Sequence, residues 1–392
     1  MKHNNKGINT ICTHVGELKD NEYKGATSPL YMSTSYAFED VDIKRYPRYF
    51  NTPNQMALSQ KIAALEHAED AMIFGSGMAA VSTALLAFLK AGDHVVLQNM
   101  LYGGTQNLVT KQFENFGISY SFTEGLKSSD FEAKIEENTK VIYIETPSNP
   151  LLTITDLAAV ANIAKKHNLV SMIDNTFASP VNQNPIDFGI DVIIHSATKY
   201  MGGHSDICAG VVASSKVNME RIFQLAINLG GSLSDYTVWL LERSIKTMGI
   251  RVKCQNENAM RLAEYLEGNV NIKQVNYPGL ASHPEHALAK SQMHGFGGML
   301  SFELKESIDA TKFRKALKLI KSSMSLAGVE STVLSPTQTS HALLSEEDRF
   351  KQGIADGLIR FSIGIEEPED LIADIDQALE QVKAKQPALN SQ

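Results

Sequence analysis

Short apolar runs alternate with longer amphipathic segments between about residues 58 and 218. Nearly continuous apolar runs of four or five residues are typical of strands that are buried on both faces. Apolar positions three or four residues apart, as at Leu58, Ile62 and Leu65, are typical of helices. The pattern predicts strands over 71–74, 94–97, 141–144, 169–173 and 192–194. It also predicts helices that begin near Asn54, span 79–90, begin at Gly104 and span 157–167.

This alternation predicts the fold of the first half of the chain. Strands separated by helices of this length form βαβ units with right-handed crossovers, and such units build a parallel sheet. We therefore expect an α/β domain built on a mostly parallel sheet.

After about residue 218 the order of the elements changes. A long helical region is predicted over 235–265, strands over 299–303 and 358–363, and helices over 313–321 and 369–383. Because these elements do not follow a strict βαβ order, we expect a smaller C-terminal α+β domain. The predicted divisions are an irregular arm over 1–58, the α/β domain over 59–251 and the α+β domain over 252–392. We expect the polar tail after Pro387 to be frayed.

Composition narrows the class of protein. The 392-residue chain has a formal charge of -8 and no strong basic run, which argues against binding of nucleic acid or anionic membranes. No apolar stretch approaches the roughly 20 residues needed to span a bilayer. No apolar core follows the polar N-terminal residues, so secretion is not expected. Three scattered cysteines fit reduced thiols better than disulfides or a zinc site. We expect a cytoplasmic protein without a metal.

Polar side chains follow several of the predicted strands. In open α/β sheets, ligands bind at the carboxyl ends of the strands, so we expect a binding site along this edge. The glycine turn after strand 71–74 would direct the free amides of a helix N-terminus at a phosphate, although a lone Gly-x-Gly is weak evidence and no Walker lysine follows. The strand-end groups are Gly75-Ser76-Gly77, Tyr102, Glu145 with Ser148 and Asn149, Asp174 with Thr176, and Ser196 with Thr198 and Lys199.

Lys199 and Asp174 are the pair of side chains that pyridoxal 5'-phosphate (PLP) requires. Desolvation at a strand end would favour the neutral amine of Lys199, which attacks carbonyl groups. The carboxylate of Asp174 could keep the ring nitrogen protonated, and Tyr102 could stack on the ring. Taken singly, a surface lysine, a turn aspartate and a core aromatic are the alternatives.

Several motifs in order along the chain carry a family resemblance. About residues 8 to 383 resemble the Cys/Met-metabolism (transsulfuration) family of PLP-dependent enzymes. The resemblance implies the PLP-dependent transferase fold type I, with helices on both faces of the sheet. The matching stretches are Ser76-Gly77-Met78, Tyr102-Gly-Gly-Thr105, Glu145-Thr-Pro-Ser-Asn149-Pro150, Asp174-Asn-Thr176-Phe177, Ser196-Ala-Thr198-Lys199-Tyr-Met-Gly-Gly-His204 and Asp356-Gly-Leu-Ile-Arg360-Phe-Ser-Ile-Gly364.

The resemblance also implies residue roles. Lys199 would form the Schiff base and carry protons, Asp174 would pair with the ring nitrogen, and Tyr102 would stack on the ring and take part in proton transfer. The remaining implied roles are phosphate or cofactor binding by Gly77, Met78, Thr176, Ser196 and Thr198, substrate binding by Asn149, Ser331 and Arg360, and contact with the phosphate of a neighbouring subunit by Tyr46 and Arg48.

Sharing of sites through Tyr46 and Arg48 would require at least a dimer, and members of this family are usually tetramers. The alternative for this Pro-interrupted segment is a solvated loop. The implied activity is elimination of the sulfur-bearing side chain of cystathionine or a related sulfur amino acid, giving a 2-oxo acid, ammonia and a thiol. A γ-replacement enzyme and a non-catalytic PLP-binding homologue are the alternatives.

The chain departs from the family pattern at three places. It has Asn51-Thr52-Pro53 where the family usually has Asn-Pro-Thr, which affects the path of the loop. Arg45 stands where several relatives that act on cystathionine carry an acidic residue. Gly104 replaces the cysteine of typical methionine γ-lyases, which argues against that activity.

Overall fold

The computed structural model describes residues 6–339, 347, 349 and 353–384. The described residues form two compact units. Unit 1 contains the chain up to Pro147, Thr155–Ile250 and Gln292–His294, and unit 2 contains Ser148–Ile154, Arg251–Ser291 and the described residues from Gly295 onward. The predicted division into arm, α/β domain and α+β domain stays a prediction. The predicted frayed tail lies outside the described residues.

Unit 1 is built on a mixed sheet that is mostly parallel. In the part of unit 1 that the structure describes, the strands are β1 (Asp70–Phe74), β2 (His94–Leu97), β3 (Ser119–Phe122), β4 (Thr139–Glu145), β5 (Val170–Asp174), β6 (Val192–His195) and β7 (Gly210–Ser214). Their order across the sheet is β1-β7-β6-β5-β4-β2-β3. The pairs from β3 through β6 are parallel, whereas β7 runs antiparallel to both β6 and β1. The predicted fold class is confirmed. The pattern missed β3, which has alternate serines, and β7, which is rich in small residues.

Helices cover both faces of this sheet. Because side chains alternate across a strand, Val95 and Val96 of β2 point to opposite faces. Val95 packs in one apolar cluster with residues of the helix Gly77–Phe88, and Val96 packs in another with residues of the helix Leu157–Lys166. Burial on both sides explains why the strand sequences are almost continuously apolar. We call the first of these faces face A.

The helices, in chain order, have the following bounds. They are α1 (Ile8–His14), α2 (Pro53–Leu65), α3 (Gly77–Phe88), α4 (Gly103–Gln112), α5 (Ser128–Glu132), α6 (Leu157–Lys166), α7 (Ser179–Asn182), α8 (Lys216–Leu229), α9 (Asp235–Ile245), α10 (Met248–Glu267), α11 (His286–Gln292), α12 (Ala310–Ala316) and α13 (Pro368–Ala384), with 3-10 turns at Pro47–Tyr49, Glu114–Phe116, Pro185–Phe188 and Pro336–Gln338. Among these residues no helix is both long and apolar enough to cross a membrane.

The predicted helical region over 235–265 consists of two helices, α9 and α10, which are separated by Lys246 and Thr247. The break between α9 and α10 is a tight turn. The amide of Lys246 bonds the carbonyl of Arg243, and the amide of Thr247 bonds the carbonyl of Ser244. Such bonds to the third preceding residue narrow the last turn and end the α-helical pattern.

Unit 2 contains a smaller, mainly antiparallel sheet. Over the residues described there, it has β8 (Ile272–Asn276), β9 (Met299–Leu304), β10 (Lys321–Ser322), β11 (Thr332–Leu334) and β12 (Leu358–Ser362), in the order β10-β11-β12-β9-β8. The helix predicted over 313–321 was misplaced, because α12 ends at Ala316. The amides of Lys318, Leu319 and Ile320 bond the buried carboxylate of Asp374 instead of helical carbonyls.

His283 in unit 2 gives a prediction about stability and pH. Burial, aided by the neighbouring His286, lowers the pKa of His283 from 6.5 to about 4. The folded protein therefore keeps this imidazole neutral over a range in which the unfolded chain protonates it. We expect wild type to lose about 3 kcal/mol more of its free energy of unfolding than His283→Gln between pH 6.5 and pH 4. Urea denaturation at each pH measures this, with the exposed His294→Gln as control. Equal pH dependence of wild type and His283→Gln would contradict the prediction.

Candidate active site

Two carboxylates end neighbouring strands at one edge of the unit 1 sheet. Glu145 of β4 is paired in register with Asp174 of β5, and Asp174 is paired with Ile194 of β6. Tyr143 and Met172 lie two residues earlier on these strands, and both pack in the apolar cluster of face A. By the alternation of side chains, Glu145 and Asp174 belong to face A. The carboxyl edge of face A is therefore acidic.

Asp174 is buried, with 7% of its surface exposed. Burial raises the pKa of its carboxyl, while hydrogen bonds from Thr176 and electrostatic interactions with His195 and Lys199 act in the opposite direction. One carboxylate oxygen accepts the Thr176 amide at 3.0 Å. An electron-withdrawing or cationic group beside this carboxylate would relieve the cost of its buried charge.

Thr176 connects Asp174 to the segment that carries Lys199. Its hydroxyl oxygen accepts the backbone amide of Ser196 at 2.8 Å. Two residues later, the Thr198 hydroxyl donates to the carbonyl of Ala209 at 3.2 Å and accepts the Ala209 amide at 3.0 Å. These contacts hold the backbone just before Lys199, whose side chain is half-buried.

The N-terminus of α3 reaches the same turn. The Ser76 hydroxyl caps this helix by accepting the amide of Ala79 at 3.1 Å, which leaves the amides of Gly77 and Met78 in the first turn without an intrahelical acceptor. A Cβ on Gly77 would lie 2.8 Å from Cβ of Ser196 and 2.9 Å from its hydroxyl oxygen. Only glycine permits this approach. The helix amides and the Ser196 hydroxyl therefore form a concave group of anion donors.

Tyr102 immediately precedes α4 on face A. Its amide donates to the carboxylate of Glu145 at 2.7 Å, and the residue is 47% exposed. A Cβ on Gly104 would lie 2.5 Å from Cε1 of Tyr102 and 3.0 Å from the sulfur of Met78. The absence of a side chain at Gly104 thus leaves the space that the Tyr102 ring enters. Glu145 was noted in the sequence as a strand-end carboxylate but was not among the candidate site residues.

His195, the last residue of β6, has a different environment. It lies on the opposite face from Asp174, because it follows Ile194 in β6 by one residue. Its Nε2 contacts the buried carboxylate of Glu66. His195 therefore contacts Glu66 and does not share the face of Asp174.

The Tyr46–Arg48 segment forms an exposed 3-10 turn. The guanidinium of Arg48 donates to the carbonyl of Ile227 near the end of α8 and lies 5.7 Å and 5.1 Å from the ring centroids of Tyr46 and Tyr49. Within the described ranges, these partners of Arg48 do not include the group around Asp174 and Lys199. Contact of this segment with another subunit stays a prediction.

The loop that departs from the family pattern ends in a capped helix. The Thr52 hydroxyl oxygen accepts the amide of Gln55 at 3.2 Å, and Oε1 of Gln55 accepts the amide of Thr52 at 3.1 Å. Pro53 occupies the first helical position. Arg45 donates to the carbonyl of Asn51 at 2.6 Å. The altered Asn-Thr-Pro order thus supplies the cap of α2, and Arg45 holds the loop that precedes it.

In unit 2, the side chain of Arg360 is the centre of a second set of polar contacts. It is 6% exposed and donates to Oδ1 of Asn149 at 3.2 Å and to the carbonyl of Ser325 at 2.9 Å. Ser325 has a φ of 75°, which is uncommon outside glycine, and the sequence did not single it out. A guanidinium held by an amide and a carbonyl is suited to a carboxylate ligand.

Ser331 is predicted to bind substrate, but its hydroxyl has partners inside unit 2. It donates to the carboxylate of Glu366 at 2.9 Å and accepts the amide of Gly364 at 2.9 Å, and the residue is 1% exposed. Its substrate role stays a prediction, as do the roles of the other candidate residues.

Comparison with known proteins identifies relatives along nearly the whole chain. Residues 9–380 match the family described as Cys/Met metabolism PLP-dependent enzyme. A cystathionine gamma-lyase of Bacillus subtilis is 42% identical over 95% of this chain and 99% of its own length. A cystathionine beta-lyase of Lactococcus lactis is 40% identical over 95% of this chain and 99% of its length. The crystal structure of a cystathionine gamma-lyase from Lactobacillus plantarum, complexed with L-serine, has a TM-score of 0.93 at 36% identity and covers 96% of this chain and 100% of its own.

Proposed function

The chain belongs to the Cys/Met-metabolism family of PLP-dependent enzymes, and we propose that within this family it is a carbon–sulfur lyase that acts on cystathionine. The expected products are a 2-oxo acid, ammonia and a thiol. Cleavage at the γ-carbon is the preferred position, as the name of the Bacillus subtilis relative suggests. The sequence motifs and the geometry of unit 1 support the use of PLP.

The residues of unit 1 fit this cofactor. The close approach of Gly77 to Ser196 forms a cradle that a Cβ would fill, and its donors suit a phosphate. Asp174 is a buried carboxylate whose charge would be stabilised by a protonated ring nitrogen. We assign Gly77, Met78, Ser196 and Thr198 to the phosphate, and Thr176 to the orientation of Asp174.

The bound cofactor supplies an electron sink for the substrate's Cα. Lys199 would bind the cofactor covalently and then carry a proton to and from the substrate carbons. Asp174 would hold the proton on the ring nitrogen. Tyr102 would cover the ring and exclude water from it. Arg360, with Asn149 held beside its guanidinium, would bind the substrate's carboxylate.

One observation carries this proposal: the contacts Asp174–Thr176 and Thr176–Ser196 join the predicted ring-nitrogen partner to the turn that carries the predicted lysine. A purely structural aspartate would not need to be buried beside a half-buried lysine.

A substrate panel tests the activity. Cystathionine, methionine, homocysteine, cysteine and acylated homoserines should be supplied separately, with and without an added thiol, and products identified by mass. We expect cystathionine to be cleaved without added thiol, giving a 2-oxo acid and ammonia. Turnover of acylated homoserine only in the presence of thiol would identify the γ-replacement alternative. Cofactor binding without turnover of any compound would favour the non-catalytic alternative.

We further propose a cytoplasmic homotetramer with active sites shared across dimers. Cys12, Cys208 and Cys254 do not form disulfides among the described residues, which supports a reducing compartment. Large apolar side chains are exposed along the N-terminal segment, which supports its burial against a second copy. These are Tyr23, Leu30, Tyr31, Met32, Phe38, Val41, Ile43, Tyr46 and Tyr49.

Mixing two inactive variants tests the sharing of sites. Lys199→Ala and Arg48→Ala should be combined under conditions that allow subunit exchange. If Arg48 serves a neighbouring subunit, each hybrid dimer has one site with both lesions and one with neither, so complete 1:1 exchange should restore about one quarter of wild-type activity.

Lys216→Ala, in place of Arg48→Ala, is the control for the mixing procedure. Lys216 is exposed at the start of α8, and this variant should be active before mixing. If hybrids form, as shown by mass, and activity stays absent, Arg48 acts within its own subunit.

A further inference from the structure

We propose that Glu145 is a positioning residue that fixes the ring of Tyr102 through the backbone amide of Tyr102. The inference rests on the proposed function in one respect, the placement of Tyr102 against the cofactor. Glu145 itself need not touch the cofactor or the substrate.

The carboxylate of Glu145 contacts the residue that precedes α4. Glu145 is the last residue of β4, is 4% exposed and belongs to the acidic edge of face A. Its Oε2 accepts the amide of Tyr102 at 2.7 Å. A buried carboxylate that accepts an amide hydrogen bond is stronger as an acceptor than a neutral group.

The backbone of Glu145 is held from the next strand. Gln98, which follows β2, donates to the carbonyl of Glu145 at 2.8 Å and accepts its amide at 3.4 Å. The same Oε1 of Gln98 accepts the hydroxyl of Thr155 at 2.9 Å. These hydrogen bonds hold Gln98 and the backbone of Glu145 together. The carboxylate of Glu145 is therefore well placed to fix the amide of Tyr102.

Tyr102 is positioned by its hydrogen bond to Glu145 and by the absence of a side chain at Gly104. Its carbonyl begins α4 by accepting the amide of Gln106 at 3.0 Å, so its amide points out of the helix N-terminus. A carboxylate placed there also interacts favourably with the helix dipole. Cε1 of the ring lies 2.5 Å from the position that a Cβ of Gly104 would take, so a shift of the helix end would move the ring.

Loss of the acceptor should therefore displace Tyr102. Glu145→Ala leaves the Tyr102 amide without this partner, whereas Glu145→Gln retains an oxygen that can accept the hydrogen bond. We expect Glu145→Ala to lower kcat about 30-fold and Glu145→Gln to lower it less than about fivefold. The visible circular dichroism of the bound cofactor, which reports the asymmetric environment of its ring, should weaken in Glu145→Ala and recover in Glu145→Gln.

A double-mutant cycle identifies the route of the effect. If Glu145 acts through the ring of Tyr102, Glu145→Ala should change kcat and the dichroism less than about twofold in a Tyr102→Ala background. Asp191→Ala is the matched structural control, because Asp191 accepts the amide of Ser171 at 2.8 Å near the other end of β5. It should lower the thermal midpoint without changing the dichroism of the cofactor.

Equal effects of Glu145→Ala in the presence and absence of the Tyr102 ring would overturn the proposal, as would unchanged dichroism in Glu145→Ala. The dichroism can be measured on holoenzyme whether or not any sulfur amino acid is cleaved. Failure of the proposed substrate would therefore leave this test intact, and failure of this test would leave the lyase assignment intact.

Discussion

Replacement of Lys199 by alanine is expected to abolish both covalent attachment of PLP and nearly all turnover. The side chain is half-buried, and the hydrogen bonds of Ser196 and Thr198 hold the backbone that precedes it. The stretch from Ser196 to His204 contains no other lysine that could take its place. Because one residue would serve as both nucleophile and proton carrier, we expect kcat to fall by about 10³-fold or more. The measurements are the visible absorption of the holoenzyme and steady-state production of the 2-oxo acid.

Lys199→Arg separates the charge of the side chain from its reactivity. A guanidinium keeps the positive charge beside Asp174 but does not lose its proton in proteins. We expect Lys199→Arg to keep some affinity for PLP while remaining without covalent attachment or turnover. A variant at this position that retained the absorption band of covalently bound cofactor would remove Lys199 from its assigned role.

Replacement of Asp174 by asparagine should have the second largest effect. Asparagine keeps the size of the side chain and an oxygen that can accept the amide of Thr176, but it removes the negative charge. Without that charge the ring nitrogen of PLP would lose its proton more easily, and the electron sink would weaken. We expect kcat to fall by about 10² to 10⁴-fold, and the affinity for PLP to fall as well.

Although Asp174→Asn should lower turnover, it should not lower the stability of the cofactor-free protein. Burial raises the pKa of Asp174, so the charged carboxylate lowers the stability of the cofactor-free protein at neutral pH. The thermal midpoint of cofactor-free Asp174→Asn should therefore equal or exceed that of cofactor-free wild type. Asp191→Asn is the control, because the carboxylate of Asp191 accepts hydrogen bonds from the amide and the hydroxyl of Ser171 near the start of β5. Near wild-type turnover of Asp174→Asn would contradict the assignment.

The sequence predicted the sheet of unit 1 better than it predicted unit 2. Strands such as β2 and β6 are buried on both faces, so three of the four residues in each are apolar and the local pattern is strong. By contrast, α12 ends early because Asp374, distant in sequence, binds the amides that follow it. A helix end that depends on a residue distant in sequence leaves no pattern in the sequence around that end.

The sequence by itself determined the α/β order, the strand ends that carry Asp174 and Lys199, and the resemblance to a PLP-dependent family. Those features depend on local periodicity and on motifs along the chain. Only the tertiary structure showed that Glu145 binds the amide of Tyr102, that Thr176 joins Asp174 to Ser196, and that Gly77 must lack a side chain. These contacts join residues from 20 to more than 100 positions apart, and their distances follow from the register of the strands and the packing of the helices.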